Sequence, residues 1–241
     1  MGWSDTERDY AVHYCKLGCF MNQAFSKNGF SLLELLIAMA VGLIVLGAMY
    51  SVFTLQNRQL SSQDMVTAMQ QNARASIEMM VQEVRMAGYR PGKFVSTWPS
   101  GSGTAPGIVT ATASSFSFVA DLDGDSDTTA VSTNPGENIT YDLCPAATCP
   151  TCTWQCLART SNTSKQPFAE DIESLAFTYF DGNNAQMTAP VTGADLLNIR
   201  KVRITLQARS AREDPSYTSP SGDHYYHYQL ISDVNLRNMG L

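Results

Sequence analysis

From Gly29 to Phe53 the chain reads GFSLLELLIAMAVGLIVLGAMYSVF, a run of apolar residues broken by a single charge, Glu34. As one helix rising ~1.5 Å per residue, residues 30 to 53 reach ~36 Å, enough to cross the hydrocarbon core of a bilayer. A carboxylate inside such a segment costs roughly 2.5–3.5 kcal/mol on insertion scales and so demands a partner or a task. An ordinary membrane anchor has no use for it.

A cleaved secretory signal would carry a shorter apolar core, about 7–15 residues, with its small-residue cleavage site behind it. Here Lys27, Asn28 and Gly29 come before the apolar run. The hexapeptide Gly29-Phe30-Ser31-Leu32-Leu33-Glu34 resembles the class III signal of type IV pilins and pseudopilins. The resemblance implies that a prepilin peptidase cuts between Gly29 and Phe30 and methylates the new amino terminus. It also implies that Glu34 serves assembly, meeting the Phe30 ammonium of a neighbouring subunit where the helices bundle. Residues 1–29 are then a leader. Met21 opens a nine-residue alternative, MNQAFSKNG, closer to the usual short leader, and translation is expected to start there. On either start Cys15 and Cys19 are absent from the mature chain.

Beyond Phe53, the residues Val66, Met69, Ala73, Ile77, Met80 and Val84 recur at three- and four-residue steps, the mark of an amphipathic helix. No helix breaker interrupts residues 54–87, so residues 30–53 and 54–88 are expected to form one long helix, a membrane-spanning half and an amphipathic half. Gly88, Pro91 and Gly92 supply its stop. The methionine-rich stripe reads as core packing under a sheet. From residue 89 to 241 the period shortens to two. Strands are expected at 107–112, 115–120, 139–143, 175–180, 202–209 and 226–236, the clearest being Val202 to Ala208. Short turns favour antiparallel pairing. The fold class expected is therefore α+β, a long N-terminal helix packed on an antiparallel β-sheet head, and the pilin resemblance implies the same.

Two loops carry further chemistry. Asp121, Asp123, Asp125 and Asp127 surround Gly124, and carboxylates at every second position repel one another unless a hard cation joins them. D-x-D-G-D-x-D resembles a calcium loop, with Glu137 as an extra candidate ligand. It is not an EF-hand, because its twelfth position is Ser132. A solvated acidic turn is the competing reading. The head requires no cofactor, and calcium is the one candidate. Cys144, Cys149, Cys152 and Cys156 stand in CPAATCPTCTWQC, where C-x4-C-x2-C matches an iron–sulfur spacing and C-x2-C a zinc one. For an exported head the oxidising compartment favours two disulfides, with three pairings open.

Nothing in the chain points to an enzyme. His224 and His227, three apart before the last strand, point to opposite faces and read with their tyrosine neighbours as an aromatic turn. No nucleophile elbow, phosphate loop or HExxH is present. A net charge of -6 argues against a nucleic-acid surface. The stretches RMAGYRPG, DLDGDSD, VRITLQARSAR and SDVNLRN resemble the PilW-type minor pilins, with the J-type minor pseudopilins of type II secretion as nearest relatives. That resemblance implies a structural subunit that primes a type IV pilus near its tip. Its implied partners are other minor pilins, the major pilin, prepilin peptidase, the inner-membrane assembly platform and a tip adhesin. It places the chain in the inner membrane with a periplasmic head, then in the extracellular fibre. The alternatives are a secretion pseudopilin or an adhesin-like, calcium-dependent binding head.

Overall fold

The computed structural model describes residues 29–89, 107–120, 137–161 and 164–239. They divide into two units, one ending at Gln56 and one running from Asn57 to Leu241. One helix, α1 (Leu32–Arg85), spans the boundary without a break. No proline falls between residues 30 and 85, and Glu34 in the first turn and Arg85 in the last both complement the helix dipole.

In the first unit α1 buries nothing. Phe30 and the large apolar side chains from Leu32 to Leu55 are exposed. By length and composition this stretch can cross a membrane. In the second unit the helix becomes the spine of a core. Met69, Ala73, Ile77, Met80 and Val84 are buried as the stripe predicts, and Val66 packs at its margin. Each large side chain so buried is worth about 1.5–3 kcal/mol.

The helix ends three residues earlier than expected, at Arg85, followed by a turn through Gly88. Gly88 has φ 74°, and its N–H donates to the Val119 carbonyl at 2.9 Å. A left-handed residue just past a helix is the usual glycine terminator. Gly107 meets it from the other side. With φ +94°, any Cβ on Gly107 would lie 2.5 Å from the Gly88 backbone, so two bare backbones touch where the helix hands over to the sheet. From near the C-terminus, Asn238 Nδ2 donates to the Arg85 and Ala87 carbonyls at 3.4 Å, satisfying groups that a helix end leaves open.

Among its described residues the head holds two antiparallel sheets, where the sequence suggested one. β1 (Ile108–Ala111), β2 (Phe116–Val119), β3 (Asn138–Pro145), β4 (Gln155–Ser161) and β5 (Ser164–Glu170) form an antiparallel meander. β6 (Ile172–Phe180), β7 (Gln186–Met187), β8 (Lys201–Arg209) and β9 (His227–Asn235) form a second antiparallel sheet in the order β7-β6-β8-β9. The switch between sheets falls at Asp171, whose φ of 58° turns the chain sharply; aspartate is among the few residues that tolerate that region. Aromatic rings from both sheets fill the space under α1. Phe116 lies 5.7–5.9 Å from Phe118, Phe177 and Tyr179.

A polar tie fixes α1 to the first sheet. Glu83 accepts from Arg159 Nε at 2.9 and 3.1 Å, and from the hydroxyl of Tyr141, whose ring is fully buried. Burial, and then the Glu83 carboxylate, push the Tyr141 hydroxyl well above its usual pKa of 10. Asn72 Nδ2 adds a bond to the Glu170 carbonyl at 2.7 Å.

Candidate functional site

The amino-terminal constellation is built from the helix start. Gly29 and Phe30 precede α1 outside any regular element, and a helical hydrogen bond runs from Leu35 N–H to the Ser31 carbonyl at 3.1 Å. Phe30 is 84% exposed. Glu34 falls in the first turn, where free helix N–H groups favour a negative charge. It shares a shallow groove with Leu33, Ile37, Ala38 and Val41. In the first unit's described residues the carboxylate thus sits on an apolar face with no cation beside it.

The acidic loop lies elsewhere. Asp121, Asp123, Asp125 and Asp127 fall outside the described residues. Glu137 is described: its side chain is buried and its carbonyl accepts from Ala120 N–H at 3.0 Å. Among the described residues no group of three or more His, Cys, Asp or Glu is arranged to hold a metal ion.

The four cysteines form two disulfides between near neighbours, Cys144–Cys149 and Cys152–Cys156. Of the three pairings open to the sequence, this one closes two small rings in series. Cys144 and Cys156 face each other in the β3–β4 register, yet each bonds into the loop instead. All four side chains are buried with Ala158 in a satellite cluster. With these four sulfurs paired, none of the four offers a thiolate to zinc or an iron–sulfur cluster. The second ring carries Trp154, and the Arg209 guanidinium lies over its ring at 3.5 Å and over that of Tyr225 at 4.3 Å.

The two histidines of the head part company. His224 Nδ1 hydrogen-bonds to the Tyr217 carbonyl. His227, at the start of β9, is held by two carboxylates, Nδ1 to Glu173 at 2.8 Å and Nε2 to Asp223 at 3.0 and 3.1 Å. Nearby, Asp214 joins three segments, accepting from Ser62 on α1 at 2.7 Å, from the Tyr226 hydroxyl at 2.9 Å and from Ser216. The Ser216 hydroxyl first, then Ser62, hold its carboxyl far below the usual range. Neither cluster is legible in sequence, since residues 54 and 152 positions apart meet in them; of the first, only the Asp223–His227 half lies close in sequence.

Residues 25–50 match the family model described as the prokaryotic N-terminal methylation motif. That match covers Gly29, Phe30 and Glu34 and runs through residue 50, most of the apolar run. No curated protein matches the chain in sequence. Among solved structures, a type IV-like pilin from Thermus thermophilus aligns with 71% of this chain and 97% of its own, at 11% sequence identity and a TM-score of 0.42. The chain carries an N-terminal methylation motif at the head of a membrane-length helix.

Proposed function

We propose that this chain is the precursor of a type IV pilus subunit, a non-catalytic minor pilin of the PilW type that primes assembly near the fibre tip. The observation that carries the reading is the methylation motif over residues 25–50, set on a helix whose first half buries nothing of its own. A helix apolar all round must be covered, by lipid before assembly and by neighbouring helices after it. Prepilin peptidase cuts between Gly29 and Phe30 and methylates Phe30; the mature chain then stands in the inner membrane with its head in the periplasm. The two disulfides suit that oxidising compartment.

On leaving the lipid, Glu34 needs a cation, and the Phe30 ammonium of an adjacent subunit is the one this processing creates. Desolvation offsets much of the Coulomb gain of such a pair, so its value is register, the helix docking where charges meet. The partners are the major pilin, other minor pilins, the assembly platform and a tip adhesin.

Deletion of the gene tests the reading, with complementation by the wild-type chain. Loss of surface pili with secretion intact is the expected result. Lost secretion with normal pili would make the chain a pseudopilin, and normal pili that no longer attach would make its head an adhesin.

A further inference from the structure

The segment between β8 and β9, residues 210–226, has little apolar anchorage of its own. Apart from Tyr226 against the core and Tyr225 on Arg209, it is tied down by polar contacts at Asp214 and at Asp223, and the second of these depends on a proton. We propose that Glu173, His227 and Asp223 form a protonation-dependent clasp that pins this segment to the second sheet and, through Asp214, to α1 at Ser62.

The geometry requires a charged imidazole. A neutral ring has one donor nitrogen and one acceptor, whereas here both nitrogens face carboxylates that only accept. Loss of the proton would set a lone pair against Glu173 or Asp223, breaking one contact and repelling the group behind it. The carboxylates are themselves fixed. Glu173 on β6 also accepts from Gln207 Nε2 on β8 at 2.8 Å. Asp223 accepts from the Ser219 hydroxyl at 2.6 Å and the Tyr225 N–H at 3.1 Å. Among the described residues Arg209 is His227's register partner on β8, and its guanidinium lies over the rings of Trp154 and Tyr225.

The arms lead onward. Tyr226, next to His227, pairs through its backbone with Ser210, and its ring stacks on Tyr217 at 4.1 Å. Its hydroxyl reaches Asp214, which holds Ser62. Opening the clasp therefore loosens one continuous chain of contacts from β6 to the helix spine.

The sign is fixed by which form is held. Burial works against the charge on His227, but its bonds to Asp223 and Glu173 outweigh that and leave the pKa raised. A raised value means the contribution is full below about pH 6.5, the ordinary histidine value, and lapses as pH climbs through the folded one. At the acid end Asp223, held down first by Ser219 and then by His227, keeps its charge well below the usual carboxylate range.

The test uses the full mature chain in detergent micelles, labelled at histidine for NMR, with His227 assigned by His227→Gln. Hydrogen exchange across residues 210–226, corrected for its intrinsic pH dependence, is followed in parallel. The expected result is a His227 that titrates above the ordinary value, with both ring nitrogens protonated below it, and a loss of segment protection over the same pH range. Glu173→Gln should lower that titration point and move the protection step with it, which keeps the test open if His227→Gln fails to fold. A His227 titrating at or below the ordinary value, or protection that stays flat through its titration, would overturn the clasp.

Discussion

Replacing Glu83 by alanine removes a carboxylate that ties the helix spine to the first sheet. Arg159 is left without its partner while its side chain is only 22% exposed, and the hydroxyl of the fully buried Tyr141 loses its acceptor. Breaking a buried ion pair from one side costs about 3–5 kcal/mol, because the other charge stays behind undissolved by water. Glu83 and Arg159 are each about one-fifth exposed, and solvent screens them in part, so the lower end applies, about 3 kcal/mol. For a unit of this size that lowers the melting temperature by about 6–12 °C. The assay is thermal unfolding of the mature chain in micelles, followed by circular dichroism, for Glu83→Ala, Arg159→Met and the double variant. The double variant should lose less than the sum of the singles, since removing both charges leaves neither stranded. Strict additivity, or a Glu83→Ala loss under about 1 kcal/mol, would refute the claim that this cluster holds the spine.

Gly107→Ala forces a Cβ to within 2.5 Å of the Gly88 backbone at a φ of +94°, so it should destabilise the head by roughly 1–3 kcal/mol in the same melting experiment. A neutral result would mean the helix-to-sheet contact is looser than described. Cys152→Ala with Cys156→Ala should cost about 2 kcal/mol, the loop-closure value for so short a ring, and peptide mapping under non-reducing conditions should still show Cys144 joined to Cys149. A Cys144–Cys156 link in the wild-type protein would contradict the pairing. Glu34→Leu should insert and be processed normally but enter fibres poorly, as quantified by immunoblot of sheared material; wild-type incorporation would remove the register role of Glu34.

The long helix was legible because its two halves speak in different codes. Residues 30–53 are apolar on every side, and the stripe from Val66 to Val84 keeps a period near 3.6. The strands with clean alternation were legible too, β8 above all. What escaped has physical reasons. β6 begins at Ile172 rather than Leu175 because its register shifts between Ile172 and Ser174, so the buried positions fall out of phase. β4 buries Cys156, Leu157 and Ala158 in succession, and β5, an edge strand containing Pro167, is largely exposed; neither alternates. The chain passes from one sheet to the other at Asp171, a residue that reads in sequence as an ordinary turn former. The core of the methylation motif, Gly29 to Glu34, was legible because it is written in six consecutive residues. The Glu83 and His227 clusters were not, because each is assembled from segments that only the fold brings together.

The central claim is most directly tested by the mass of the protein recovered from sheared surface fibres, without reduction. Processing and assembly predict a chain beginning at N-methyl-Phe30, four hydrogens lighter than its reduced form because of the two disulfides. A chain that retains its leader and stays in the membrane, never reaching the fibre, would contradict the account and leave a simple anchored domain.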